Sequence, residues 1–152
     1  MRMIRKGFLL VLTLLLLGAV NAQNTVLENR ESKKTVTRHR VIMQISSADT
    51  LEHKGLINNL KHLKEGWGDS VEIEVVIHGP GIDLVTKGKS TQPEQLQKMI
   101  EQGIHFVVCR NTMKQKMITE EKLLPGIGIV PMGIGEIILK QEQGWSYIKA
   151  GF

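Results

Sequence analysis

The feature that most constrains the fold is a regular alternation between short apolar segments and amphipathic segments. Five short segments have the length and the apolar content of strands: HRVIMQIS, VEIEVVIH, IHFVVC, GIGIVPM and WSYIKA. Longer segments with apolar residues at helical spacing separate most of them. Alternation of strand and helix is typical of a parallel sheet with helices on both faces. We therefore expect an α/β fold, a flavodoxin-like three-layer sandwich with a mainly parallel sheet of about five strands.

The longest amphipathic segment, SADTLEHKGLINNLKHLKEGW, follows the first predicted strand. Its residues Leu56, Leu60, Leu63 and Trp67 recur at helical spacing, so we expect this side of the helix to face the core. Further helices are predicted over QPEQLQKMIEQG, NTMKQKMI and GIGEIILKQEQG. Each connects two predicted strands, as the parallel arrangement requires.

The first 22 residues have the composition of an export signal. Arg2, Arg5 and Lys6 precede the apolar segment GFLLVLTLLLLGAV, and small residues come before Gln23. This order predicts a signal peptide over residues 1–22 that is cleaved before Gln23. The alternative is an uncleaved anchor, but the apolar segment is shorter than the roughly 20 residues that span a bilayer. We expect a periplasmic or secreted protein with no stable membrane anchor after cleavage.

The rest of the chain is predicted to form one domain. Residues 23–38 are polar and predict a flexible lead-in, and residues 39–152 are long enough to bury a core of their own. Three of the 20 basic residues and none of the 15 acidic residues precede the predicted cleavage site, which leaves 17 against 15, a net charge of +2. This small charge, without a basic cluster among aromatic residues, predicts no nucleic-acid binding.

Cys109 is the only cysteine in the chain and ends the segment IHFVVC. In an oxidising compartment an odd cysteine is buried and inert, paired between chains, or reactive. The adjacent Arg110 and a helix predicted to begin at Asn111 or Thr112 favour reactivity, because positive charge and helix amides stabilise a thiolate. Thiol–disulfide exchange of the Cys-x-x-Cys type is excluded within one subunit, because it requires a second cysteine. Sulfur carriage as a persulfide and exchange with a partner's thiol are the remaining reactive roles.

A second candidate site is the segment HGPG, where the second predicted strand ends. His78 is suited to moving a proton or holding an anion, and the turn that starts at Gly79 can present amides to an anion. The alternatives are a histidine bonded to a nearby carbonyl and an ordinary turn. Parallel α/β sheets bind ligands beyond the carboxyl ends of their strands, where both HGPG and CRNT fall. The histidines show no metal-binding spacing, so we expect neither a metal nor a cofactor.

Three blocks of the sequence resemble the DsrE/DsrF-like family. They are VEIEVVIHGPGI, FVVCRNTM and LLPGIGIVPMGIGEIILKQEQGWSYIK, and their order and spacing are similar to those of its YchN-like branch of small single-domain proteins. Together they cover most of the chain after the predicted lead-in. By this resemblance Cys109 matches the motif cysteine, Asn111 and Thr112 follow it as in the branch, and His78 and Gly79 take the branch's HG position.

The resemblance implies a flavodoxin-like sheet, a homotrimer or homohexamer, and a cysteine near a subunit interface. It also implies a sulfurtransferase or sulfur carrier whose cysteine accepts sulfur as a persulfide and passes it to a partner. The sequence identifies neither the sulfur donor nor the acceptor. One feature departs from the family pattern, because sulfur relays work in the cytoplasm and this chain carries a predicted export signal. The alternative function is a non-catalytic small-ligand-binding or assembly module with a structural cysteine.

Overall fold

The computed structural model describes residues 38–151. The predicted signal peptide and, apart from Arg38, the predicted lead-in lie outside the described residues. No helix within residues 38–151 combines the length and the apolar character needed to cross a membrane. The elements in chain order are β1 (His39–Ile45), α1 (Thr50–Trp67), β2 (Val71–Ile77), α2 (Pro93–Glu101), β3 (His105–Cys109), α3 (Arg110–Lys116), β4 (Gly128–Val130), α4 (Gly133–Glu142) and β5 (Ser146–Lys149).

The five strands form one parallel sheet in the order β4-β3-β2-β1-β5. The chain moves outward from β1 to β4 and then returns to place β5 on the other side of β1. The reversal puts the topological switch point between β1 and β5. The predicted fold class, an α/β flavodoxin-like fold with a five-stranded parallel sheet, is confirmed.

Alternate residues of each strand enter two cores on opposite faces of the sheet, because successive strand side chains point in opposite directions. The larger core lies under α1 and α2 and includes Met43, Ile45, Leu56, Leu60, Ile73, Val75, Ile77, Leu96, Phe106 and Val108. The smaller core lies under α4 and consists of Ile42, Val76, Ile137 and Trp145, with Val107 packed against it. This arrangement gives the three layers that the alternating sequence predicts.

Helix α1 begins at an aspartate cap, where the Asp49 carboxylate accepts a hydrogen bond from the Leu51 amide at 2.8 Å. Leu56 and Leu60 are buried as predicted. The prediction for Trp67 is wrong, because this side chain is 43% exposed. It is the last residue of the helix, and its ring stacks on His39 at 4.0 Å instead of entering the core.

Strand β4 is shorter than the segment GIGIVPM, from which a strand was predicted. Only Gly128–Val130 pair with β3. Gly126 has a φ of 78°, in the left-handed region, which interrupts extended backbone before the strand. Pro131 follows the strand and has no amide hydrogen to continue the ladder.

Candidate functional site

The two segments singled out in the sequence meet at the carboxyl edge of the sheet. Cys109 is the last residue of β3, and His78 directly follows β2. The strand register places Ile77 opposite Val108, so His78 lies beside Cys109 one residue further along. Both side chains point to the face that α4 covers, since Val76 and Val107 pack there two residues earlier.

The start of α4 closes this corner of the sheet. A Cβ added at Gly133 would lie 3.1 Å from Cβ of Cys109, 3.3 Å from Cγ1 of Val76 and 3.5 Å from Cβ of His78. The first two distances are tighter than ordinary contacts, so a side chain here would require the helix or the sheet to shift by a few tenths of an ångström. We call Cys109, His78, Gly79, Thr112 and Gly133 the thiol site. Gly133 was not among the predicted site residues.

The starts of α3 and α4 both lie next to Cys109 and affect its pKa. Burial raises the pKa of the thiol, while hydrogen bonds from the backbones of Gly133, Thr112 and Asn111 and from the Thr112 side chain lower it. The hydrogen bonds outweigh burial, so the pKa of Cys109 lies below its usual value. Donors that stabilise the anion in this way favour the thiolate, which is the nucleophilic form of cysteine.

Thr112 connects the two predicted segments. Its Oγ1 accepts a hydrogen bond from the Gly79 amide at 2.9 Å, which leaves the hydroxyl hydrogen for the sulfur. The side chain is buried, so these are well-protected contacts. Gly79 has a φ of 54°, a left-handed conformation that glycine adopts without strain.

His78 is held by a residue that sequence analysis missed. Nε2 of Gln44 lies 2.6 Å from Nε2 of His78, and Oε1 of Gln44 accepts a hydrogen bond from the Tyr147 hydroxyl. Burial lowers the pKa of His78, which favours the neutral ring. The signal for Gln44 was available as a lone amide in the apolar part of HRVIMQIS, whereas nothing in the sequence placed Tyr147 next to it.

Arg110 and Asn111 are placed differently from each other. The Arg110 guanidinium lies 3.6 Å from the Glu120 carboxylate, with both side chains about half exposed or more. Arg110 is not among the groups that shift the pKa of Cys109. Its guanidinium is engaged by Glu120, and the predicted role of Arg110 in stabilising the thiolate stays a prediction. Helix α3 begins at Arg110, one residue before the predicted start, and the Asn111 backbone in its first turn lowers the pKa of Cys109.

Cys109 is more covered than a freely reactive thiol. The residue is 7% exposed, because α4 packs against it at Gly133. Access to the sulfur is therefore narrow in a single chain. Within residues 38–151, no group of three or more histidine, cysteine, aspartate or glutamate side chains is placed to hold a metal ion.

The chain is a flavodoxin-like α/β protein with a thiol at the carboxyl edge of its parallel sheet. The model of the DsrE/DsrF-like family matches residues 40–150. The chain belongs to the DsrE/DsrF-like family, which confirms the resemblance drawn from the three sequence blocks. A search of functionally curated proteins gives no significant match.

Solved structures similar to this chain agree with the fold. A protein of unknown function, MTH1491 from Methanobacterium thermoautotrophicum, has a TM-score of 0.70 and 31% identity over 73% of this chain and 98% of its own. A conserved protein of unknown function, BT1422 from Bacteroides thetaiotaomicron, has a TM-score of 0.60 and 16% identity over 72% of this chain and 93% of its own. The ychN protein of E. coli has a TM-score of 0.57 and 13% identity over 74% of this chain and 98% of its own. The last two likenesses show the fold alone.

Proposed function

We propose that this protein is an exported sulfur carrier that holds sulfur as a persulfide on Cys109. The Cys109 thiolate attacks the outer sulfur of a donor persulfide, R–S–SH. A new S–S bond forms at Cys109, the donor's S–S bond breaks, and the donor leaves as a thiolate while the proton stays on the transferred sulfur. An acceptor thiolate then attacks the outer sulfur, and Cys109 leaves as a thiolate. Neither transfer requires an external oxidant or reductant.

One observation carries the proposal: the starts of two helices and the Thr112 hydroxyl surround the only sulfhydryl group of the chain, and their hydrogen-bonding groups lower its pKa. A buried structural cysteine needs no such donors, and burial alone would raise its pKa. The same donors would stabilise Cys109 when it leaves as a thiolate in the second transfer. Membership of the DsrE/DsrF-like family is consistent with sulfur chemistry at this position.

The rate of Cys109 alkylation against pH separates the carrier from a binding module with a structural cysteine. For the carrier we expect an apparent pKa below that of a free cysteine, with alkylation of the native protein. Cys109→Ser is the control for reaction at other sites. Alkylation that occurs only after denaturant is added, or an apparent pKa at or above that of free cysteine, would contradict the carrier and support the alternative module.

The export part of the proposal depends on residues 1–22. We expect protein recovered from the periplasm or the medium to begin at Gln23 when its N-terminus is sequenced. Arg5→Glu combined with Lys6→Glu should retain the protein in the cytoplasm, because the positive region of the signal is lost. Recovery of the full-length chain from the cytoplasm of cells producing the unaltered protein would contradict export.

We further propose that copies of the chain associate through the outer side of α4, as a trimer or hexamer. Four large apolar side chains there, Met132, Ile134, Ile138 and Leu139, are each at least half exposed. Contiguous exposed apolar residues are typical of interaction surfaces. Helix α4 spans only ten residues, a short cover for one face of a five-stranded parallel sheet, and such sheets are ordinarily covered on both faces. A second copy at this α4 surface would border the thiol site through Gly133.

Light scattering coupled to size-exclusion chromatography tests the assembly. Leu139→Asp should dissociate the oligomer, because it buries a charge in the proposed contact. Leu51→Asp makes the same change at a leucine that is 71% exposed in the first turn of α1, and it should leave the oligomer intact. A wild-type monomer, or equal behaviour of the two variants, would contradict assembly through the α4 surface.

A further inference from the structure

Three polar side chains form a hydrogen-bonded row across the sheet: Tyr147 in β5, Gln44 near the end of β1 and His78 just after β2. The Tyr147 hydroxyl donates to Oε1 of Gln44, and Nε2 of Gln44 lies 2.6 Å from Nε2 of His78. The row crosses the switch point between β5 and β1 and ends at the thiol site. Because the row is built on adjacent strands of the sheet, its geometry is set by rigid elements.

The polarity of the row follows from the orientation of the Gln44 amide in the structure. The amide oxygen of Gln44 accepts the Tyr147 hydroxyl, so the NH₂ end of the same amide faces His78. An NH₂ group can only donate, and Nε2 of His78 must therefore accept. A neutral imidazole that accepts at Nε2 carries its proton on Nδ1. Burial, which lowers the pKa of His78, agrees with the neutral ring.

Of the residues in the row, His78 is the one that lies next to Cys109. The two residues neighbour each other across β2 and β3, and both lie against the start of α4 at Gly133. Within the described part of the chain, the Nδ1 atom of His78 has no hydrogen-bond partner. The proton on Nδ1 is therefore not engaged by another group of residues 38–151.

We propose that Gln44 and Tyr147 are positioning residues that hold His78 as the neutral Nδ1–H tautomer, so that His78 serves the thiol site as a hydrogen-bond donor and not as a base. The inference rests on the proposed function for its sulfur chemistry. No proton is transferred to or from the ring. The Cys109 thiol loses its proton to solvent, and Nδ1–H donates a hydrogen bond to a negatively charged sulfur, either the outer sulfur of the persulfide or the departing donor thiolate.

The tautomer can be read directly from two-bond ¹H–¹⁵N spectra of the protein labelled with ¹⁵N-histidine at neutral pH. The His78 signals are assigned by their absence in His78→Gln. We expect Nδ1 at the position of a protonated ring nitrogen and Nε2 at that of an unprotonated one. A protonated Nε2, or two tautomers in comparable amounts, would overturn the inference.

Two substitutions test whether the row sets the tautomer. Gln44→Glu replaces the donor by a carboxylate that only accepts, so the Nε2 signal should move to the protonated position. Gln95→Glu makes the same change at an exposed residue of α2 and should leave the His78 signals where they are. Tyr147→Phe removes the hydroxyl that orients the amide, and the single Nδ1–H signature should be lost. An unprotonated Nε2 in Gln44→Glu, or an unaltered spectrum in Tyr147→Phe, would refute the role of that residue.

The outcomes distinguish this inference from the proposed function. If Gln44→Glu does not fold, the wild-type spectrum and Tyr147→Phe still decide the tautomer. A neutral Nδ1–H tautomer in a protein that never accepts sulfur would refute the carrier and leave the positioning by Gln44 and Tyr147 intact. A protonated Nε2 in a protein that does accept sulfur would refute the positioning alone.

Discussion

Replacement of Thr112 by valine removes one hydroxyl group from the thiol site and changes little else. Valine is close to threonine in shape and size, and residue 112 is buried. The hydroxyl has two partners: it accepts from the Gly79 amide at 2.9 Å and donates to the Cys109 sulfur. The substitution therefore tests both the link between the two segments and the stabilisation of the thiolate.

The expected loss of stability follows from the Gly79 amide. A buried donor left without its acceptor destabilises a fold by about 1–3 kcal/mol. The amide is partly accessible, so we expect a value near the lower end of that range. Among the hydrogen bonds that lower the pKa of Cys109, one comes from this hydroxyl, so its removal should raise the pKa of the thiol.

The pH dependence gives a second signature with a definite sign. Because the folded-state pKa of Cys109 is lowered, its thiolate contributes stability that is fully present above the unfolded-state pKa and is lost as the pH falls through the folded-state pKa. The pH range between the folded-state and unfolded-state pKa values is the window in which this stability develops. Thr112→Val raises the folded-state pKa and so narrows this window from its lower end. The free energy of unfolding should thus separate further between wild type and variant as the pH rises through the window.

Urea denaturation at several pH values and the alkylation rate of Cys109 measure the two effects. Thr112→Ser is the matched control, since serine keeps the hydroxyl and loses only a methyl group. It should retain an alkylation profile close to that of wild type. If Thr112→Val matches wild type in alkylation profile and in its pH dependence of unfolding, the hydroxyl does not stabilise the thiolate and the reasoning is refuted.

Two further substitutions test the packing around the site, each against a matched control. Lys140→Met should destabilise the fold by about 3–5 kcal/mol in urea denaturation, because it leaves the nearly buried Glu74 carboxylate without a cationic partner. In the wild type this carboxylate lies 2.8 Å from the Lys140 ammonium. Lys61→Met, which breaks an exposed ion pair, should change stability by less than about 1 kcal/mol. Gly81→Ala should cost about 1–3 kcal/mol, because its Cβ would lie 2.7 Å from a backbone carbonyl oxygen of β1. Gly66→Ala, in α1 with open space around it, should be neutral or stabilising by thermal melting. Equal effects within either pair would contradict the packing described.

Much of the fold could be predicted from local sequence patterns. Within residues 38–151, apolar segments and amphipathic spacing located the five strands and the four α-helices, because buried positions follow the period of each element. The pattern also brought HGPG and CRNT to one edge of the sheet, since strand ends are ordered by topology. Element ends were less predictable: Trp67 lies at the end of a helix whose pattern suggested burial, and its contact with His39 depends on tertiary structure.

The composition of the thiol site was only partly predictable. Cys109 and Thr112 were found because a lone cysteine and a hydroxyl before a helix are local signals. Gly133 was missed because its role depends on where α4 begins relative to β3, which are joined by more than twenty residues. The ion pair between Arg110 and Glu120 could not be predicted either, because adjacency in sequence does not determine where a long side chain points.

The most direct test of the central claim is the intact mass of the protein after incubation with a persulfide donor. We predict that wild type gains the mass of one sulfur atom, that the gain is lost on addition of an acceptor thiol, and that Cys109→Ser gains nothing. An unchanged wild-type mass, or an equal gain in Cys109→Ser, would contradict sulfur carriage on Cys109.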